Sequence, residues 1–139
     1  VRIVSLLAVT LLLLAGCGGG IAVDTNADLD SAVRTFVGEK AEKPRPFSEF
    51  TSWNWDELYV VDLDGADSGY VEEVTGEKFD VPWGSKSGVF LYYEGGKRVR
   101  AELMNNGAFC PGIYTREAVV DYKFACWLQD SKVRDLRAK

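Results

Sequence analysis

The chain has 139 residues, of which 47% are hydrophobic and 27% charged, an ordinary globular composition. It contains no histidine, which excludes a Ser-His-Asp triad, a Cys-His dyad and any imidazole metal ligand. The net charge of −5 lacks the basic excess of a nucleic-acid binder, so no nucleic-acid partner is expected.

In chain order, Arg2 precedes an apolar run from Ile3 to Ala15 that is interrupted by Ser5 and Thr10. As a helix this run spans about 20 Å, short of a ~30 Å hydrocarbon core, and it reads as the apolar region of a secretory signal. It closes in Leu14-Ala15-Gly16-Cys17, which resembles the lipobox of bacterial lipoprotein precursors position for position. That resemblance implies cleavage before Cys17 and a thioether-linked diacylglycerol on it, an acyl (palmitate-type) anchor holding the protein at a membrane. Beyond this covalent lipid, no cofactor is expected. Gly18 stands where aspartate marks inner-membrane retention in such lipoproteins. The expected location is therefore the outer face of the cell membrane, or the outer membrane where one exists. The expected division is a signal peptide over residues 1–16, a lipidated cysteine and flexible tether over 17–27, and one globular domain over 28–139.

Within that domain, Asp28 is the expected cap of a helix carrying Leu29, Ala32, Val33, Phe36 and Val37 on one face, with Gly38 as its stop. Glu39 to Pro46 forms a charged, proline-broken connector. Leu58 to Leu63 reads as a strand, and Ser68 to Gly76 as a short helix carrying Tyr70, Val71 and Val74. Val89–Tyr93 and Val99–Met104 flank Glu94-Gly95-Gly96-Lys97, a hairpin signal, and Asn105-Asn106-Gly107 is a further turn. Ala118 to Leu128 reads as one long strand, followed by a short basic helix capped by Asp130 or Ser131. The expected fold is α+β, a small antiparallel sheet of about four strands with short helices covering one face. Trp55-Asp56-Glu57-Leu58-Tyr59-Val60, the turn Asp62–Gly65, the helix Val71–Gly76 and the hairpin Phe90–Val99 together resemble a class of small bacterial extracytoplasmic lipoproteins.

Secretion places the remaining cysteines, Cys110 and Cys126, in an oxidising compartment, and two cysteines allow a single pairing, so a disulfide is expected. Between Asp56 and Asp80, nine acids face Lys78 alone. Asp62, Asp64 and Asp67, with Glu73 twelfth from Asp62, approximate a calcium loop. Ala66 occupies a ligand position, however, and Asp67 replaces the glycine of the sharp turn, so the expectation is a solvated loop with no metal. Most aromatics belong to the core of a domain this size. Trp53 and Trp83 lie in polar, loop-like segments and are the candidates for a ligand or partner surface. The basic tail (Lys132, Arg134, Arg137, Lys139) is read as a solvated end. The functional expectation is a lipid-anchored, non-catalytic binding domain of the cell envelope, with an envelope protein or polymer as its partner. The alternatives are cation or small-solute binding at Asp62–Asp67 and, behind that, a carboxylate-based hydrolase.

Overall fold

The structure, a computed structural model, describes residues 20–63, 68–81, 88–104 and 108–137 and shows a mixed α+β fold. In order the elements are β1 (Ile21–Ala22), β2 (Asp24–Thr25), α1 (Ala27–Gly38), β3 (Arg45–Pro46), a 3₁₀ turn (Phe47–Phe50), β4 (Glu57–Asp62) and α2 (Ser68–Thr75). There follow β5 (Phe79–Asp80), β6 (Gly88–Glu94), β7 (Lys97–Met104), β8 (Gly112–Thr115), β9 (Val119–Val120) and β10 (Leu128–Gln129). The main sheet runs β2-β7-β6-β4-β8; its last four strands are antiparallel, and β2 joins β7 in parallel. A small sheet of order β10-β9-β3 and the parallel pair β1-β5 lie beside it.

The expected four-stranded antiparallel sheet is present, with the short parallel strand β2 added at its edge. The helices do not share one face. Leu29 and Val33 of α1 pack with Leu58, Val60, Phe90, Tyr92 and Met104, whereas Val71 and Val74 of α2 pack with the alternate residues Val61, Val89, Leu91 and Leu103. The runs Leu58–Val61 and Val89–Tyr93 have no polar face to leave to water, so both sides of the sheet must be covered.

The hairpin turn is where the sequence places it. Gly95 and Gly96 have φ of +57° and +77°, values that side chains rarely adopt, and the Gly95 amide donates to Asp56 Oδ2 at 2.9 Å. A bulge between Tyr92 and Tyr93 sets Arg100 opposite Tyr92 and Arg98 opposite Tyr93, leaving Val99 as the extra residue.

Four segments depart from expectation. Residues 20–27, expected as flexible tether, supply β1 and β2. The Ile21 amide donates to Lys78 O at 2.8 Å, and a Cβ on Gly20 would lie 2.8 Å from the backbone of Phe79 and Asp80, so only glycine allows this approach. The cap of α1 is Asn26, not Asp28; its side-chain oxygen accepts from the Leu29 amide at 3.0 Å, two residues earlier than the apolar spacing indicates. Ala118–Leu128 is a hairpin rather than one strand. Asp121 Oδ1 accepts from the Lys123 amide and turns the chain, and the Asp121 amide reaches Trp127 O. Beyond Asp130 there is no basic helix among the described residues, because the tail pairs with β8 through reciprocal Ile113–Arg134 backbone bonds of 2.8 and 3.0 Å. That pairing satisfies a sheet edge and buries Leu136.

Phe47 holds the core on the α1 side, with ring centroids 6.0, 6.1 and 6.4 Å from Trp55, Phe90 and Phe50. Phe47→Ala is expected to cost about 3–5 kcal/mol. Val99→Thr, at a position 45% exposed, is expected to stay within about 0.5 kcal/mol. Urea unfolding of the two variants checks both values.

Candidate functional site

Strand β7 carries the site. Its register places Arg100 opposite Tyr92 and Glu102 opposite Phe90, on the face that α1 covers. Glu102 is 3% exposed, the one charged residue buried to this degree among the described residues. Its Oε1 accepts from Asn26 Nδ2 at 2.8 Å and from Arg100 Nε, with which it forms an ion pair. Asn26 therefore serves twice, capping α1 with its oxygen and bonding Glu102 with its nitrogen.

Above this carboxylate the aromatics form a stack. The Arg100 guanidinium lies 3.8 Å from the centre of the Trp53 ring, and Trp53 meets Tyr92 edge-on, with centroids 5.0 Å apart at 89°. Trp55 supports Tyr92 from behind at 5.8 Å and donates its own Nε1 to Thr51 Oγ1. Three enclosed polar atoms in this group make no close hydrogen bond: Trp53 Nε1, and Glu102 Oε2 and the Tyr92 hydroxyl, whose side chains face each other. Burial, and then the charge of Glu102 and the hydrogen bonding of the phenol towards that carboxylate, push Tyr92 well above its ordinary range, with Arg100 opposing them in part. Tyr92 stays protonated at neutral pH and cannot act there as a base. Beside Glu102 opens a cleft of about 520 Å³, walled by residues 24–28 and 100–102. The arrangement presents charge, hydrogen-bonding groups and an aromatic face to the cleft.

The other face of β7 holds a structural pairing. Tyr93 donates to Glu77 Oε2 at 2.8 Å, and Arg98 pairs with the same carboxylate at 3.1 Å while lying over Phe79. Tyr93, mostly through burial and then its bond to Glu77, is also held far above its ordinary range.

Of the residues singled out from sequence, Trp53 is part of this site, half-buried and packed between Tyr92 and Arg100. Trp83, Cys17, Asp64 and Asp67 lie outside the described residues. Asp62 ends β4, exposed and opposite Gly88, and Glu73 is exposed on α2. Among the described residues no three acidic or sulfur ligands gather closely enough to hold a metal. Sequence reasoning missed Glu102, Arg100 and Asn26. The available signal was parity, since Arg100 and Glu102 lie two apart on a strand whose partner, β6, is apolar throughout Val89–Tyr92. Comparison with protein-family models, curated proteins and solved structures finds no match for this chain.

Cys110 and Cys126 stand at disulfide distance, with Cα atoms 5.5 Å apart. Around them the Trp127 amide donates to Ala108 O, the Tyr114 hydroxyl to Cys110 O and Gln129 Nε2 to Cys126 O, at 2.6–2.7 Å. Phe109 joins Trp127 to Phe90 through edge-on contacts of 5.8 and 5.0 Å. The pair thus ties the β9–β10 hairpin to the main sheet. Both sulfurs are expected to resist alkylation until reductant is added, as mass spectrometry of the native protein would show. Cys110→Ala is expected to cost about 2–5 kcal/mol.

A second expectation concerns Tyr92. Its hydroxyl faces the Glu102 carboxylate without a close hydrogen bond, so Tyr92→Phe at pH 7 should cost about 1 kcal/mol. The folded-state pKa is raised, so the stability tied to this phenol is complete below about pH 10 and is lost as the unfolded chain ionises above it. Denaturant midpoints measured across that range should fall more steeply for the wild type than for Tyr92→Phe.

Proposed function

We propose that this chain is a lipid-anchored, extracytoplasmic domain that binds a component of the cell envelope and catalyses no reaction. Leu14-Ala15-Gly16-Cys17 supports the anchor, through its likeness to a lipobox. The Cys110–Cys126 pair supports an oxidising compartment, where such pairs persist. The binding reading is carried by one observation: the Glu102 cluster, whose charged groups hold each other beside an open polar cleft and whose phenol keeps its proton. Such a site has recognition chemistry ready.

Two arms test the proposal. In the host cell, Cys17→Ala should abolish lipid labelling and leave a full-length precursor, because the lipoprotein peptidase acts on the modified cysteine. Processing to the same mature size with continued membrane attachment would overturn the anchor. In the second arm, the purified wild-type chain is crosslinked in envelope extract beside Trp53→Ala. A component captured by the wild type and lost in Trp53→Ala supports binding through this face; identical capture by both rejects it.

A further inference from the structure

We infer that the open outer edge of β7, from Lys97 to Ala101, takes up an acidic, extended segment of another protein as an additional strand. The inference rests on the binding reading above, since Arg100 and Trp53 belong to both, and names the partner's chemistry and its mode of docking.

The first argument is the edge itself. β2 covers β7 only at Glu102 and Leu103, and among the described residues Lys97 to Ala101 pair with β6 alone. Alternate amides and carbonyls along this stretch, about 17 Å long, therefore face outward without a partner strand. Lys97, Val99 and Arg100 are exposed there. The opposite edge of the same sheet is treated differently. On β8 the tail bonds Ile113 through Arg134, and Asp130 takes the Thr115 amide. The protein closes one edge of its main sheet with its own chain and leaves the other open, as strand addition requires.

The second argument is charge. Lys97-Arg98-Val99-Arg100-Ala101 carries three cations and no acid, in a chain of net charge −5. Among the described residues Lys97 has no ion pair. Arg98 and Arg100 bond Glu77 and Glu102 through Nε alone, so the Nη donors of both guanidiniums are left for a second carboxylate. The bulge directs these two arginines to opposite faces of the sheet, so a strand laid along the edge meets one on each side. Two acids adjacent in that strand point the same two ways.

The third argument selects the occupant. A second copy of β7 would set like charges against each other across the edge, so the residues that reject self-pairing favour an acidic strand. Asp24 begins β2 beside Glu102, which places the partner's acids opposite Arg98 and Arg100 rather than beyond Ala101. On the α1 side the Trp53 ring, stacked on Arg100, offers an apolar wall to a neighbouring side chain.

The test is a titration of the full-length purified chain with the blocked peptide acetyl-TVEEVT-amide, followed by calorimetry and tryptophan fluorescence. Saturation below about 1 mM is expected, and acetyl-TVKKVT-amide should not bind. Two further acidic peptides, methylated on alternate backbone nitrogens in opposite phase, keep the charge and each remove one row of amide donors. One phase should bind as the parent does and the other at least about tenfold more weakly, since only one row faces β7. Arg100→Lys keeps the charge but loses the guanidinium fork, and should weaken binding about tenfold. Lys97→Glu alters an exposed side chain alone and keeps the test valid if Arg100→Lys fails to fold; it too should weaken binding. Lys132→Glu makes the same charge change beside β8, at the far edge of the sheet, and should leave binding unaltered.

No saturation, equal binding of the lysine peptide, equal affinity of the two methylated phases, indifference to Lys97→Glu, or equal weakening by Lys132→Glu each overturns the inference. A free chain that sediments as a dimer, and as a monomer after Lys97→Glu, gives the edge to a second copy and overturns it as well. A flat titration alongside Trp53-dependent capture of an envelope component overturns strand addition and leaves the binding reading standing. A flat titration with identical capture by wild type and Trp53→Ala overturns both.

Discussion

Burial of β6 on both faces is the constraint on which the rest of this structure depends. Val89, Phe90, Leu91 and Tyr92 are all buried, and alternate residues point to opposite sides of the sheet, so each side requires its own cover. On one side that cover is α1, the 3₁₀ turn and Trp55; on the other it is α2 with the β1–β5 pair. The short strands β1 and β2 follow from the same demand. The chain between them buries Val23 and crosses from Phe79–Asp80 to the edge of β7. Because β2 pairs with β7 only at Glu102 and Leu103, its end leaves the cleft that α1 then borders.

A charged residue in such a core requires compensation, and the compensation here is partial. Asn26 and Arg100 satisfy one oxygen of Glu102, while the other oxygen and the Tyr92 hydroxyl that faces it, and Trp53 Nε1, are enclosed without a close hydrogen bond. A core optimised for stability alone would replace such a group with an apolar residue of similar volume. The bulge at Val99 belongs to the same design. Without it Arg98 and Arg100 would share a face. With it, Arg98 turns to Glu77 and Phe79, and Arg100 alone meets Trp53 and Glu102.

The C-terminal third is held by polar and covalent devices more than by its own apolar surface. Asp130 accepts from the Thr115 amide and hydroxyl and from the Lys132 amide, fixing the last turn against β8. The Cys110–Cys126 pair draws the β9–β10 hairpin onto Phe109 and Phe90. In a protein of this size such links supplement a modest core.

The sequence by itself determined the local elements whose signals lie within a few residues. Apolar spacing marked α1 and α2, β-rich runs marked β4 and β6, and paired glycines marked the β6–β7 hairpin. It also placed Trp53 in a polar loop, while the packing of that ring on Tyr92 came from the tertiary structure. Only the tertiary structure decided which faces would be buried, because an unbroken apolar run such as Val89–Tyr93 fits any two-sided cover. Only it decided that Ala118–Leu128 would fold back on itself, since the Asp121 turn competes with a strand pattern of equal local strength. The site was the least legible part. Glu102 reads as one more charge on a polar strand until register sets it opposite Phe90 and Asn26 arrives from 76 residues away to bond it. A charge becomes a buried charge through long-range packing, and no short window of sequence contains that information.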